Sequence, residues 1–369
     1  MKRRNIVVQG PGRVELVEED LPPLPDGGLL LQTLATGLSP GTELTFVKGD
    51  HPGLHSQFDT ELGLFQPATP SSGYPVRRLG YMEVARVAQT NTDAFSVGDQ
   101  VASAYGHATA HVSNPLYEHV VPLPNDLDPL LGVYVAHLGP ICANGLLYAA
   151  AEFAGRAAAR LGEGVEGRRV VVTGAGLIGM LTGLLALEHG AEEVAVVDQD
   201  SRRLALAEAL GLLPIDADDD PGLTLKTRWR HGHQDHGADV AFQCRGRPSA
   251  LATALRALRP QGTVVDLAFY TEGADLVRLG EEFHHNGLTL RSAQIGRVPP
   301  GMASAWDRRR LSAETIRFLR ARGDDVRKHL ITDVMDIAQA PTFLSDVAAR
   351  RRHVLSAIFT VDNMTTATD

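Results

Sequence analysis

Three glycines and one acid are the residues whose spacing most plainly implies chemistry. Gly174, Gly176 and Gly179 follow a short apolar strand, Val170 to Val172 with Thr173, and precede an apolar helical segment that runs to Glu188 and His189. A second strand, Val194 to Val197, ends in Asp198. In this arrangement Gly174 permits a tight turn, Gly176 lets a pyrophosphate approach the backbone, and Gly179 lets helix and strand pack closely. The phosphates would rest on the unpaired amides that open the helix, Leu177 and Ile178 among them, at the positive end of its dipole. Asp198, about twenty residues beyond the last glycine, would accept hydrogen bonds from a ribose diol and repel a 2′-phosphate. The spacing therefore predicts a dinucleotide site that takes NAD in preference to NADP. S-adenosylmethionine binding is the rival for this unit, because such folds also pair a glycine turn with an acid. Arg202 and Arg203 follow closely; Arg203 is a candidate to lie against the adenine, with a solvated helix start as the alternative.

The remaining ionisable clusters point less directly to a reaction. His231-Gly232-His233-Gln234-Asp235-His236 looks like a metal tract. It precedes the strand Ala238 to Gln243 at the end opposite the expected ligand rim, and is read as a solvated loop. Cys244 and Arg245 follow that strand at its carboxyl end, where ligands gather in parallel sheets. Leu267 to Phe269 and Gln294 to Gly296 end later strands on the same rim. Cys244 and Gln294 are accordingly cofactor candidates, with ordinary strand-end packing as the alternative. His51, His55 and His285 carry no supporting pattern.

The elements that must position these residues fall into two groups. From Asn5 to about Pro124 the sequence reads as short strands punctuated by glycine and proline, such as Arg13 to Val17, Leu29 to Ala35, Glu83 to Gln89, Gln100 to Ala104 and Glu118 to Pro122. A long loop between Gly49 and Gly80 interrupts them. After Pro140 an alanine-rich helix, Ile141 to Leu161, leads into alternating strands and helices, including Thr263 to Leu267 and Leu288 to Gln294, which predict a doubly wound parallel sheet. A last strand spans Val354 to Val361, and the polar tail after Asp362 is expected to fray.

Composition narrows the field. The 369 residues suit two domains, and 44% hydrophobic with 21% charged residues is ordinary for a soluble globular chain. A net charge of −9 with no long basic run argues against nucleic acid as a partner. The basic start MKRRN runs directly into a strand, giving neither a signal peptide nor a membrane span. Two cysteines exclude a disulfide framework and a four-cysteine zinc site, and suggest a reducing, cytoplasmic setting.

An N-terminal β domain followed by this nucleotide unit resembles the medium-chain dehydrogenase/reductase (alcohol dehydrogenase-like) superfamily over nearly the whole chain. The phrases that carry the likeness are Gly41-Thr42-Glu43, Leu79-Gly80-Tyr81, Val97-Gly98-Asp99-Gln100-Val101, Tyr117-Glu118-His119-Val120 and Asp333-Val334-Met335. Ser39-Pro40-Gly41-Thr42-Glu43, and Phe283-His284 before Ser292-Ala293-Gln294, look most like the branch that contains bacteriochlorophyllide dehydrogenase. The resemblance implies an α/β protein: a GroES-like catalytic domain over residues 1–139, a Rossmann NAD-binding domain over 140–300, and a segment 301–369 that returns to the catalytic domain. It also implies a homodimer.

Zinc-dependent relatives hold their metal through a cysteine, a histidine and a later cysteine or acid. An ungapped match puts Pro40 at the cysteine, Tyr81 at the histidine, and Ile141 beside Cys142 near the third position. Proline cannot ligate zinc and a phenol rarely does, so no catalytic zinc is expected. The structural-zinc lobe is missing too; His107 and His111 stand there without cysteines. Hydrogen-bond donors must then manage the substrate oxygen. Thr42 matches the relay hydroxyl of the family, Tyr81 could donate its phenolic proton, and Glu43 would orient or polarise them. A turn or cap, a packed phenol and a structural carboxylate are the plain alternatives.

These readings converge on an NAD-dependent oxidoreductase. It would move hydride between nicotinamide and a polar secondary alcohol or ketone, without zinc, in a cleft lined by residues such as Thr42, Glu43, Tyr81 and His107. NADPH-dependent reduction of a quinone or enone, and a nucleotide-binding protein without turnover, remain open beside it.

Overall fold

A computed structural model of the protein describes residues 1–67, 73–155 and 158–361. The tail beyond Asp362 lies outside the described residues, as do parts of the Gly49 to Gly80 loop and of the helical run read to Leu161. The chain divides into two compact units, Met1–His137 with Leu330–Asp369, and Leu138–His329.

Valine-rich strands buried on both faces make the second unit a parallel sheet. Its order is Leu213–Asp216, Glu193–Asp198, Arg169–Thr173, Ala238–Gln243, Leu258–Asp266, Thr289–Ser292, every neighbour parallel. Numbered from the glycine-loop strand this is 3-2-1-4-5-6, the doubly wound order whose strand reversal opens a ligand crevice at the carboxyl ends of strands 1 and 4. Strand 3 escapes the sequence pattern because it is short, contains Pro214 and buries only Ile215 fully.

The boundaries differ from those read in the sequence. Helix Arg308–Asp325 stays with the sheet unit, burying Leu311, Thr315, Phe318 and Leu319, and Trp306 Nε1 donates to the Ala158 carbonyl at 3.1 Å. The first unit therefore ends at His137 rather than residue 139, and the chain returns to it at Leu330 rather than 301.

In the first unit the returning chain completes a mixed sheet. Ala357–Thr360 lies antiparallel to Leu29–Gly37 and parallel to the edge strand Asp333–Asp336, while Glu83–Thr90, Gln100–Ser103 and Val120–Pro122 extend the other side. Ile6, Leu38, Leu44, Val47, Phe343 and Phe359 form its core. Helix Pro40–Lys48, not recognised from the sequence, begins with Pro40 at its first turn and stops at Gly49, whose φ of 95° only glycine adopts readily. The long loop also contains a hairpin, Ser56–Asp59 with Leu64–Pro67.

The three loop glycines differ in what surrounds them. A Cβ on Gly179 would lie 1.8 Å from the Gly174 carbonyl oxygen, whereas nothing lies within 4 Å of one on Gly176. Gly179→Ala is expected to destabilise the protein by about 2–3 kcal/mol, because backbone must move to admit the methyl. Gly176→Ala should stay within about 0.5 kcal/mol of the parent. Chemical denaturation of both variants checks the pair, and equal stabilities would contradict it.

Candidate functional site

Two groups of residues come together, one in each unit. In the sheet unit, Gly174 (φ 103°) turns the chain out of the first strand, and a Cβ there would meet that of Arg245 at 2.8 Å. Gly176 caps helix Leu177–Glu188 without a side chain, and the first helical bond runs from Met180 N–H to the Gly176 carbonyl at 2.9 Å. The amides of Leu177, Ile178 and Gly179 thus open the helix without intrahelical acceptors.

Asp198 is buried at the end of the second strand, and one carboxylate oxygen accepts the Ala175 N–H at 2.8 Å. The other accepts from the Gln199 and Asp200 amides at 2.8 and 2.9 Å. A carboxylate has about four acceptor positions, so a further donor can still be received. Glycine loop, helix start and acid therefore occupy one crevice rim of this unit.

The remaining rim candidates are placed less directly. Arg203, half-buried on helix Ser201–Ala209, has no ion pair among the described residues, whereas Arg202 pairs with Asp200 at 2.7 Å. The Cys244 thiol is pushed well above its ordinary value, first by burial and then by Cys142 nearby. The residue is half-buried and lies beside Thr182. Gln294 is exposed and folds back on its own loop, its amide oxygen accepting from Gly296 N–H at 2.6 Å.

In the first unit the three hydroxyl and carboxylate candidates gather at the start of helix Pro40–Lys48. Glu43 is only 1% exposed. One of its oxygens accepts the Ser39 N–H at 2.7 Å and the other meets His107 Nε2 at 2.7 Å. His107, wholly buried, touches Thr36 Oγ1 through Nδ1 at 2.7 Å. With Thr36 donating to Nδ1 and Nε2–H donating to Glu43, all three partners are satisfied.

Tyr81 donates its phenolic proton to Ser39 Oγ at 2.5 Å and packs its ring 4.6 Å from that of His137. Burial, and then the Glu43 charge, push the phenol up to about 12, against a smaller lowering by Ser39 and Thr42. Thr42 sits in the helix rather than in a turn, half-buried and within reach of that phenol.

Burial corrects two expectations. Glu43 and His107, expected to line a cleft, are buried and spend their polar atoms on Ser39, Thr36 and each other. His111 lies apart from them, 3.2 Å from the buried Glu83 carboxylate. The His231 to His236 tract forms a hairpin, Arg230–Gly232 with Asp235–His236, whose His231 Nε2 lies 2.9 Å from the Gly237 carbonyl. Among the described residues no group of three or more His, Cys, Asp or Glu is arranged to hold a metal ion. The residues missed by sequence reasoning are Ser39, Thr36 and His137. Ser39 stood in a phrase that carries the family likeness but was assigned no role, and the other two are joined to the site by tertiary packing alone.

Known proteins similar to this chain are dehydrogenases. Residues 178–308 match the family described as zinc-binding dehydrogenase. D-guloside 3-dehydrogenase of Escherichia coli (strain K12) is 29% identical over 313 residues, spanning 82% of this chain and 83% of that protein. Galactitol-1-phosphate dehydrogenase from Escherichia coli shares the fold with a TM-score of 0.74 at 18% identity, over 97% of this chain and 99% of that one. A Sinorhizobium meliloti 1021 structure bound to NADP shares it with a TM-score of 0.73 at 18% identity, over 98% and 99%. The chain thus resembles the zinc-binding, medium-chain alcohol dehydrogenase-like enzymes, and its homologues support an NAD(P)-dependent dehydrogenase.

The raised phenol makes Tyr81 a neutral donor throughout the physiological range, since an acid with an elevated pKa keeps its proton longer as pH rises. A difference titration of tyrosinate absorbance, wild type minus Tyr81→Phe, should stay flat to about pH 10, where an ordinary tyrosine is half ionised. A step between about pH 8 and 10 would contradict this.

Proposed function

We propose that the protein is an NAD-linked oxidoreductase that interconverts a polar secondary alcohol and its ketone without catalytic zinc. The observation that carries the reading is the Tyr81–Ser39 hydroxyl pair, 2.5 Å apart, at the position where zinc-dependent relatives place a metal-binding histidine. The donor chemistry does not fit a metal there. Pro40 has no ligating atom, and the Tyr81 phenol, pushed up to about 12 by burial and Glu43, resists becoming a phenolate ligand. Cys142, near the third position, directs its buried thiol to the Ile178 carbonyl at 3.7 Å.

The sheet unit fits a dinucleotide. Gly176 leaves its face open, the Leu177 and Ile178 amides supply donors for phosphate oxygens, and Asp198 keeps an acceptor position for a ribose hydroxyl. Asp198 favours NAD over NADP because a buried carboxylate repels a 2′-phosphate. Arg203 is the candidate cation beside the adenine. When bound, the nicotinamide supplies the hydride acceptor or donor. The chain's own task is to move the proton: Tyr81 exchanges it with the substrate oxygen, Thr42 hydrogen-bonds the same oxygen, and Glu43 holds the helix start that carries them.

The 29% identical D-guloside 3-dehydrogenase supports a sugar or glycoside hydroxyl as the substrate class. The Ser39 to Glu43 phrase keeps the likeness to the bacteriochlorophyllide dehydrogenase branch within this reading. The edge strand Thr289–Ser292, with Leu290 exposed, supports pairing with a second copy in a homodimer. Both cysteines are free, which supports a cytoplasmic setting, and among the described residues no helix is long and apolar enough to cross a membrane.

Cofactor titration followed by NADH fluorescence tests the nucleotide half. NADH should bind more tightly than NADPH, and Asp198→Asn should weaken NADH by about 10-fold or more, the loss of one charge-assisted hydrogen bond. Tighter NADPH binding by the wild type would overturn the cofactor assignment.

A further inference from the structure

Ser39 occupies the N-cap of helix Pro40–Lys48, where a serine hydroxyl ordinarily accepts a backbone N–H of the first turn. Here no side-chain bond closes the cap. The hydroxyl oxygen accepts from Tyr81 Oη at 2.5 Å instead, at the short end of the range for two hydroxyls. Its backbone is fixed independently: the Ser39 N–H binds Glu43, Glu43 binds His107, and His107 binds Thr36, each contact 2.7 Å. Ser39 itself is only 5% exposed. A buried chain of side chains thus aims a serine at a phenol in place of its usual structural task.

We propose that Ser39 is a positioning residue that carries the Tyr81 proton, so that the substrate proton leaves through two neutral hydroxyls. The proposal rests on the oxidoreductase reading above. In oxidation the substrate O–H bond breaks and its proton bonds to Tyr81 Oη. The original Tyr81 proton bonds to Ser39 Oγ, Ser39 releases its own proton to water, and the electron pair of the substrate C–H bond leaves as hydride to nicotinamide. Reduction runs the same steps backwards. Neither hydroxyl ends the cycle ionised, which suits a site whose nearest buried charge, Glu43, is negative and unfavourable to a phenolate. Glu43, His107 and Thr36 act only by holding Ser39 in place.

Steady-state oxidation of methyl D-guloside by NAD+, followed at 340 nm, tests this with Ser39→Ala, Ser39→Thr and Tyr81→Phe, each also melted thermally. Ser39→Ala should lose about 100-fold in kcat, the scale of positioned proton transfer, with little change in KM. Its Tm should fall by only about 2–4 °C, since the Tyr81 hydrogen bond is lost but no cap bond is. Ser39→Thr, which restores a hydroxyl, should recover most of the rate. If Tyr81→Phe is impaired while Ser39→Ala turns over like wild type, the relay is overturned and the oxidoreductase reading stands. If Ser39→Ala and Ser39→Thr lose equally in rate and Tm, the role is structural and the proposal also falls. If Tyr81→Phe keeps full activity, or the wild type oxidises no glycoside, the underlying functional reading fails and takes the relay with it.

Discussion

The buried Glu43 carboxylate is the constraint around which the first unit is arranged. A charge removed from water must be matched by hydrogen bonds or it becomes prohibitively costly. Glu43 is matched at both oxygens, by the Ser39 amide and by His107. One partner fixes the start of helix Pro40–Lys48; the other reaches through an imidazole to Thr36 on the strand Leu29–Gly37. Helix and sheet are thereby locked together through polar atoms inside an otherwise apolar core. The same charge sets the chemistry of its neighbours, because a fixed anion beside Tyr81 disfavours phenolate and keeps the phenol a donor.

The second unit solves a comparable problem with backbone donors. Asp198 is buried yet satisfied by three amides, one from the glycine loop and two from the turn that follows its own strand. The carboxylate therefore ties the glycine loop to the neighbouring strand end through backbone amides. Such preorganisation reduces the ordering that a nucleotide would otherwise have to impose. The close approach of Gly179 to Gly174 serves the same end from the packing side.

Much of this was legible in the sequence, for reasons that differ by region. The strand–glycine–helix–strand–acid unit is local, so its order and spacing encode it, and strands such as Ala238–Gln243 match the structure to the residue. Helix Pro40–Lys48 was obscured because its start, Ser-Pro-Gly-Thr, is turn-like composition and only tertiary contacts to Leu44 and Val47 reveal the helical face. The return of the chain at Leu330 was misplaced because helix Arg308–Asp325 carries the same polar-apolar alternation in either unit. Its side of the boundary is decided by which partner buries Leu311 and Phe318. In the site, Thr42, Glu43 and Tyr81 were singled out through resemblance, with Glu43 expected to orient or polarise the two hydroxyls, but its burial was not foreseen. Burial alone separates the supporting carboxylate from the hydroxyls, and burial of a single Glu or His cannot be read from its neighbours in sequence.

The proposed chemistry moves protons through hydroxyls instead of a metal. Its most direct test is to measure metal content and turnover on the same purified preparation, before and after exhaustive chelation. Hydroxyl chemistry should leave zinc substoichiometric and turnover unchanged by chelation. Stoichiometric zinc, with activity lost on its removal and restored by adding it back, would contradict it.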